Sequence, residues 1–234
     1  MSVHPALIAE PARPGAIGPA WLAARQLAAR RGDRLLFRGL DLSLQAGEVV
    51  WLRGTNGRGK TTLLRLLAGL STPAEGAVSF RGRPLRGADP AWRAELAYVA
   101  HANALKDDLH ALEALRFVAG LRGVPVAQQA LLAALERLGV ARQARLPVRV
   151  LSQGQRRRVA LARLALPDAP GVWLLDEPFD ALDDAGIATL DDMLRAHAAG
   201  GGAVLLTSHQ ALPAGLATRA LDLDAQARGA RAAA

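Results

Sequence analysis

The 234-residue sequence contains no cysteine, which excludes a disulfide scaffold, a thiolate metal site and a cysteine nucleophile. Apolar residues make up 51% of the chain, but no uninterrupted apolar run reaches the roughly 18–20 residues that a membrane-spanning helix needs. Residues 1–20 lack a basic start followed by a continuous apolar stretch, so they do not resemble a secretory signal peptide. We therefore expect an intracellular protein with no membrane span of its own.

Lysine is scarce as well. It occurs only at Lys60 and Lys106, so nearly all of the 29 basic side chains are arginine. The formal net charge of +8 is compatible with binding to nucleic acid or to a membrane surface. The arginines are, however, spread along the chain among abundant alanine, glycine and proline. This distribution indicates a compositional bias, and nucleic acid is not an expected partner.

The length suits one α/β domain, alone or with a small inserted subdomain. Residues 1–20 and 224–234 are rich in small residues without periodicity, which predicts a disordered leader and a disordered tail. Short apolar runs between these ends predict buried strands. These runs lie at Val49–Leu52, Val78–Phe80, Leu96–Val99, Val172–Leu175 and Ala203–Leu206.

Apolar residues recur at helical spacing between these strands. One helix is predicted from about Lys60 to Ala68, and another carries Ile187, Leu190 and Leu194. Residues 102–165 hold two helical stripes and no strand pattern, the stripes being Leu112, Leu115 and Val118, then Leu131, Leu135 and Leu138. The sequence therefore predicts one α/β domain at residues 21–223, interrupted by an all-helical insertion at about 102–165.

Residues 54–61 read Gly-Thr-Asn-Gly-Arg-Gly-Lys-Thr and match the phosphate-binding loop pattern G-x4-G-K-[ST]. The loop follows a predicted strand and opens a predicted helix, which is the context that the pattern requires. Its glycines let backbone N–H groups turn toward phosphate oxygens, while Lys60 contacts the β- and γ-phosphates and the Thr61 hydroxyl ligates Mg²⁺. The predicted nucleotide contacts are Gly54, Thr55, Asn56, Gly57, Arg58, Gly59, Lys60, Thr61 and Thr62.

An apolar strand that ends in two carboxylates supplies the acidic element that such a site needs. Asp176 is placed to hold the Mg²⁺ shell, and Glu177 to polarise the attacking water as a general base. Phosphate loops are shared by kinases, GTPases and ATPases, so these two elements predict a nucleotide site without naming its family.

The segment from Leu151 to Gln155, Leu-Ser-Gln-Gly-Gln, resembles the L-S-G-G-Q signature loop of the ATP-binding-cassette ATPases. That loop binds an anion through a serine hydroxyl, a glycine N–H and a helix N-terminus, and it faces the γ-phosphate held by the other subunit. The resemblance implies a P-loop NTPase core with a mixed sheet, an N-terminal antiparallel β subdomain and an inserted all-helical subdomain. The implied nucleotide contacts are Ser152, Gln153, Gly154 and Gln155, Gln153 replacing the commonest glycine.

Two further motifs of the family follow. The segment Asp180-Ala181-Leu182-Asp183 resembles the D-loop, which touches the opposite subunit, and it implies that Asp183 belongs to the nucleotide site. His209 matches the switch histidine that contacts the γ-phosphate, so the resemblance makes it a catalytic residue beside Glu177. We expect ordinary surface positions for the other histidines that carry no motif, namely His4, His110 and His197.

Some positions depart from the family pattern. His101 stands where the family has a glutamine that couples Mg²⁺ to the membrane partner, and an imidazole can contact Mg²⁺-bound water. Residues 29–33 contain no aromatic to stack on adenine, so Arg30 or Arg31 is the candidate for that contact. We expect Trp51 and Trp173 in the core, and a solvated helix face for the three arginines 156–158.

Within the family, the sequence resembles the haem-exporter ATPases of cytochrome c biogenesis. Leu151–Leu164 is similar to the L-S-A-G-Q-Q-R-R-V-A-L-A-R-L of that subfamily, and Leu174–Asp183 to its I-L-D-E-P-F-T-A-I-D. Thr207–Gln210 is similar to its T-T-H-Q. The region around His101 is similar to its G-H-Q segment, although alanines flank the histidine here.

The resemblance implies the ATP-hydrolysing subunit of a complex that powers haem export, or release of a haem-loaded chaperone, for c-type cytochromes. It implies ATP and Mg²⁺ as cofactors, and a second copy of the chain and separate integral membrane subunits as partners, at the cytoplasmic face of the inner membrane. The alternatives are a cassette ATPase for a lipid, drug or amino acid, a soluble cassette ATPase acting on nucleic acid or the ribosome, and a non-catalytic regulatory cassette.

Overall fold

The computed structural model describes residues 20–85, 89–121, 123, 125–167 and 169–225. The predicted leader, apart from residue 20, and the predicted tail beyond residue 225 lie outside the described residues.

The described residues form both strands and helices. The strands are β1 (Leu22–Arg31), β2 (Arg34–Leu44), β3 (Val49–Arg53), β4 (Glu75–Phe80), β5 (Arg83–Pro84), β6 (Leu96–Val99), β7 (Val172–Leu175), β8 (Ala203–Thr207) and β9 (Arg219–Asp222). The helices are α1 (Lys60–Leu67), α2 (Pro90–Glu95), α3 (Ala111–Gly120), α4 (Gln128–Arg137), α5 (Gln153–Leu161) and α6 (Asp184–Ala199), with short 3₁₀ turns at Ala141–Gln143, Val148–Val150 and Ala162–Ala165.

An antiparallel sheet is built from the N-terminal strands in the order β2-β1-β4-β5. Its central strand β1 pairs antiparallel with both β2 and β4, and its register shifts after Ala24 and Leu27. At this irregularity Gln26 adopts a positive φ of 48°. Asp41 accepts hydrogen bonds from the Gln26 backbone and side-chain amides, at 2.7 and 2.9 Å, so the neighbouring strand holds the distorted residue.

A parallel sheet forms the centre of the molecule, in the order β6-β7-β8-β3-β9, and each of its pairings is parallel. The predicted mixture of strand directions is thus divided between two sheets. Because all strands of a parallel sheet point the same way, their carboxyl ends meet at one edge, which is where such sheets bind ligands.

The parallel sheet separates two apolar cores because alternate side chains of a strand point to opposite faces. On β7, Val172 and Leu174 pack with the antiparallel sheet and α1. Trp173 and Leu175 of the same strand pack with α3, α4 and α6. This two-sided burial explains why β3, β7 and β8 read as continuous apolar runs.

Helices α3, α4 and α5 lie between β6 and β7 in sequence, and the described residues of that stretch contain no strand. Both predicted stripes face inward in part, with Leu115, Leu131, Leu135 and Leu138 fully buried. Among the residues that the structure describes, no helix combines the length and the hydropathy needed to cross a bilayer.

Candidate functional site

The carboxyl edge of the parallel sheet brings together residues far apart in sequence. The loop of residues 54–59 leaves β3, His101 follows β6, Asp176 and Glu177 follow β7, and His209 follows β8. The edge therefore carries a phosphate-type loop, two carboxylates and two imidazoles.

The phosphate-type loop turns at glycines. Gly54, Gly57 and Gly59 have φ values of 146°, 74° and 106°, a region that costs other residues free energy. A Cβ on Gly59 would also lie 3.2 Å from atoms of both Leu36 and Phe37. The fold thus requires glycine at the last of these positions, directly before α1.

The loop presents an uncapped helix end. Gly59 is the N-cap of α1 and offers no side chain to accept hydrogen bonds, and the first turn of the helix contains no acidic residue. The first N–H groups of a helix have no intrahelical partner, so those of Lys60, Thr61 and Thr62 suit an anion. Lys60 Nζ donates to Gly54 O at 2.7 Å across the loop, and Asn56 is exposed beside it.

Asp176 joins the loop to the sheet. Its Oδ2 accepts from Thr61 Oγ1 at 2.7 Å, and its Oδ1 accepts from Thr207 Oγ1 at 2.9 Å. The residue is 2% exposed. The Thr61 hydroxyl beside a carboxylate oxygen is the donor set that Mg²⁺ prefers when substrate phosphates complete its shell. Within the described part of the chain, no group of three or more His, Cys, Asp or Glu is placed to hold a metal.

Glu177 is held in a strained conformation. Its φ is +49°, a region that is rare outside glycine and often functional. Its N–H donates to Thr207 Oγ1 at 2.8 Å, and its Oε2 accepts from the His209 backbone N–H at 2.8 Å. His209 Nε2 lies 3.3 Å from Glu177 Oε1. Residues at the end of the neighbouring strand β8 therefore fix the orientation of the Glu177 carboxylate. The residue is 5% exposed.

Arg157 corrects the expectation of a solvated arginine face. It is 3% exposed and donates to the backbone oxygens of Asp176 at 2.9 Å, Glu177 at 2.6 Å and Ala100 at 2.9 Å. It also contacts Asn103 Oδ1 at 3.2 Å. Burial lowers the pKa of this guanidinium, against the nearby carboxylates, which raise it. A single side chain on α5 thus binds the strand ends that carry the two carboxylates and His101.

The other two arginines of the run are also engaged. Arg156 donates to the backbone oxygens of Leu151 at 3.1 Å and Arg149 at 2.7 Å, and Arg158 pairs with Asp183. Successive residues of a helix point about 100° apart, so three adjacent arginines cannot share one face. This helical spacing is the sequence signal that argues against one solvated face for residues 156–158.

The signature residues form the N-terminus of α5. Ser152 and Gln155 cap the helix reciprocally: Gln155 N donates to Ser152 Oγ at 3.2 Å and Ser152 N donates to Gln155 Oε1 at 3.0 Å. Gln153, the first residue of the helix, is exposed. A Cβ on Gly154 would lie 2.7 Å from Ala181 O, so glycine permits the close approach of the D-loop-like segment.

A polar cavity of about 300 Å³ lies at this helix end. Asp183 caps α6 there by accepting from Gly186 N at 2.9 Å, and its pKa is lowered first by that bond and then by Arg158. The cavity is lined by Gly139, Val140, Ser152, Gly154, Gln155, Arg158, Ala181 and Asp183. No phosphate-loop residue is among these, so the signature residues and the phosphate loop do not share this cavity.

The remaining candidates lie outside the phosphate loop and the signature residues or beside them. His101 is exposed, with Nδ1 3.7 Å from Asp180 Oδ2. Arg30 Nη2 donates to Asp33 O at 2.7 Å within its hairpin, and Arg31 is exposed beside it. Trp173 is buried as expected, but His197 stacks on it with centroids 3.8 Å apart, so the expectation of an ordinary surface position for His197 is wrong.

Comparison with known proteins decides the family. The model of the ABC transporter family matches residues 37–180, a range that includes the phosphate-type loop, the signature residues and both carboxylates. The chain belongs to the ABC transporter family. ATP is therefore the nucleotide of this cassette, and ATP hydrolysis is its reaction.

Individual relatives extend the match over most of the cassette. The chain is 49% identical over 202 residues to the cytochrome c biogenesis ATP-binding export protein CcmA of Aromatoleum aromaticum, covering 86% of this chain and 94% of the relative. It is 48% identical over 200 residues to the protein of that name from Cupriavidus pinatubonensis, covering 86% and 88%. A solved dimer of a bacterial ABC transporter cassette matches with a TM-score of 0.72 at 25% identity, covering 86% of this chain and 94% of the other.

Proposed function

We propose that this cassette is the ATP-hydrolysing subunit of an exporter that serves c-type cytochrome biogenesis, with haem or a haem-loaded chaperone as the species moved or released. The catalytic part of the proposal is carried by the buried Glu177 carboxylate, which His209 and Thr207 aim at the edge that holds the phosphate loop. The biological part rests on relatives named for cytochrome c biogenesis export.

The phosphate loop is proposed to bind ATP through its N–H groups and Lys60. The Lys60 ammonium leaves Gly54 O, to which it donates at 2.7 Å, and moves to the β- and γ-phosphates. Thr61 and Asp176 would hold Mg²⁺, which would neutralise phosphate charge when bound. Residues 21–223 act as one cassette in this proposal.

Glu177 is the proposed general base. Its carboxylate accepts a proton from a water molecule, whose oxygen forms a bond to the γ-phosphorus while the bond from that phosphorus to the β–γ bridging oxygen breaks. His209 keeps the carboxylate pointed at the water through the backbone bond of 2.8 Å, and its exposed ring can then contact the γ-phosphate.

A second copy of the chain completes each site in this proposal. The cavity at the signature residues contains no phosphate-loop residue, and the solved relative with a TM-score of 0.72 is a dimer. Ser152 and Gly154 of the second copy would face the γ-phosphate, with Asp183 beside them.

Membrane subunits are proposed to dock in an apolar cleft of about 380 Å³ between α1, β6 and α3. Leu70 and Leu121 at its rim are exposed, and Arg93 and Arg163 line it. Burial lowers the pKa of Arg163 to about 10, so its guanidinium stays protonated near neutral pH, and it donates to Ala160 O at 2.9 Å and Tyr98 O at 3.2 Å. The two arginines make the cleft positive, which suits an acidic partner residue. We propose that an apolar helix with one carboxylate, from a subunit in the inner membrane, binds here and holds the cassette at the cytoplasmic face.

The test is complementation of a strain that lacks this gene, read as covalently bound haem in its membranes. We expect the wild-type gene to restore c-type cytochromes and Lys60→Ala to fail. Leu121→Asp should also fail while the purified variant keeps its ATPase activity. Normal c-type cytochromes in the deletion strain would overturn the haem proposal and favour export of another substrate.

A further inference from the structure

A residue that follows β9, Asp224, contacts the phosphate loop through its side chain. Asp224 Oδ2 accepts from the Thr55 backbone N–H at 2.7 Å, and Oδ1 accepts from Thr55 Oγ1 at 3.2 Å. Arg58 Nε lies 3.0 Å from the same Oδ1. One carboxylate therefore contacts the loop at both its second and its fifth residue.

Local structure presents this carboxylate to the loop. β9 runs parallel to β3, so both strands end at the same edge of the sheet. Asp222 Oδ1 accepts from the backbone N–H of Asp224 at 2.8 Å and of Ala225 at 3.3 Å. Leu223 is fully buried, and its Cβ lies 3.3 Å from the position that a Cβ on Gly54 would take. The turn at Asp222 and the buried side chain of Leu223 together place Asp224 opposite Thr55.

We infer that Asp224 is a positioning residue for ATP binding, and that it acts by bracing the loop through Thr55 and Arg58. The inference rests on the proposed role of the loop in holding ATP. One of its contacts holds the Thr55 backbone N–H and a second holds the Thr55 hydroxyl, which reduces the ordering of the loop that binding would otherwise require. The third pairs the Arg58 guanidinium with the same carboxylate at 3.0 Å, so it holds the loop at a second residue.

Nucleotide affinity and steady-state kinetics test the brace. For Asp224→Ala we expect about tenfold weaker binding of a fluorescent ATP analogue, because hydrogen bonds to a charged group are lost. KM for ATP should rise in parallel while kcat stays unchanged, since Asp224 does not touch the reacting atoms. Asp224→Asn, which can still accept from Thr55 N–H, should give a smaller rise.

The matched control is Glu75→Ala, which removes a carboxylate from the exposed pair that it forms with Arg38 at 2.9 Å in the antiparallel sheet. Its ATP affinity should equal that of the wild type. Arg58→Ala combined with Asp224→Ala should weaken binding by less than the product of the two single effects, because the residues share one interaction. In the nucleotide-free protein, the Thr55 amide should exchange faster in Asp224→Ala.

Several results would overturn the inference. These are unchanged affinity in Asp224→Ala, a fall in kcat without a rise in KM, or multiplicative effects of the two substitutions. If Asp224→Ala does not fold, Asp224→Asn decides by the same measurements. Lys60→Ala separates this inference from the site itself: intact ATP binding in that variant means that the loop is not the site, whereas its loss with intact binding in Asp224→Ala removes only the brace.

Discussion

The two edges of the parallel sheet are built on opposite principles. At the carboxyl edge the strands end in buried polar groups, Asp176, Glu177 and Thr207, joined by hydrogen bonds of 2.8 and 2.9 Å. At the amino edge β7 and β8 begin next to Gly171 and Gly202, where a Cβ would overlap the rings of Trp21 and His197. The carboxyl edge contains a strained backbone at Glu177, whereas the amino edge is closely packed.

The amino edge shows how tight that packing is. The rings of Trp173 and His197 stack at 3.8 Å and 8°, and a Cβ on Gly202 would overlap the His197 ring. Trp21 Nε1 donates to Gly201 O at 3.1 Å. A packed edge of this kind can hold the strands in register while the opposite edge keeps an unfavourable conformation. Substitutions should therefore reduce turnover at one edge and stability at the other.

The largest expected effect is at the carboxyl edge. Glu177→Gln removes the proposed base, so ATP hydrolysis should fall by roughly 10²–10⁴-fold while ATP binding and thermal stability persist. Single-turnover hydrolysis, equilibrium ATP binding and thermal melting measure the three quantities. Glu136→Gln, an exposed position in α4, is the control and should hydrolyse ATP at the wild-type rate. Wild-type turnover in Glu177→Gln would remove the residue from its proposed role.

Arg157→Gln should lower both turnover and stability, because this guanidinium supports the carboxyl edge from within the core. Loss of its bonds to Asp176 O and Glu177 O should lower kcat by about 10- to 100-fold through misplacement of the base. It should also lower the free energy of unfolding by about 3 kcal/mol. Arg156→Gln, one residue earlier, should change stability by less than about 1 kcal/mol. Equal effects of the two substitutions would contradict the buried role.

Gly202→Ala tests the amino edge. Its Cβ would overlap the His197 ring, so the free energy of unfolding should fall by about 1–3 kcal/mol, while kcat for ATP stays unchanged well below the melting temperature. Denaturant titration gives the first value. Gly120→Ala in α3, where a Cβ meets open space, should be neutral or slightly stabilising. A loss of kcat in folded Gly202→Ala would break the division between the edges.

The smallest expected effect is a pH dependence from His197. Burial lowers the pKa of this imidazole, and its Nε2 is buried without a hydrogen-bond partner. On acidification the unfolded chain therefore takes up the proton before the folded chain does. The contribution of the neutral imidazole to the free energy of unfolding is intact above about pH 6.5 and is lost as pH falls through the folded pKa. His197→Phe should reduce the fall in melting temperature between about pH 7.5 and about pH 5.5.

Much of the fold was predictable because the parallel strands are buried on both faces and read as apolar runs. The strands predicted at Val49–Leu52, Leu96–Val99, Val172–Leu175 and Ala203–Leu206 are confirmed as β3, β6, β7 and β8. The helix predicted from about Lys60 to Ala68 is α1, which ends at Leu67.

Strand β1 had no comparable signal. Its sequence Leu-Ala-Ala-Arg-Gln-Leu-Ala-Ala-Arg-Arg consists of residues that favour helix by intrinsic propensity. It becomes a strand because β2 and β4 pair with it on both sides, and a local pattern cannot contain that information.

The candidate site likewise contains residues that could be predicted from the sequence and residues that could not. The phosphate loop, Asp176 and Glu177 could be proposed from short motifs because each motif lies next to its own strand. The roles of Arg157 and Asp224 could not, because their partners lie at Ala100, Asp176 and Thr55, far away in sequence. Adjacent arginines and a lone aspartate near the C-terminus carry no pattern of their own.

The separation of the signature cavity from the phosphate loop has a genetic consequence. If each site is shared between two copies, a Lys60→Ala chain and a Ser152→Ala chain are each defective in both sites of their own dimers. In a mixed dimer both defects fall on the same site, and the other site is assembled from the intact phosphate loop of one chain and the intact signature of the other. Two inactive alleles expressed in one cell should therefore complement each other.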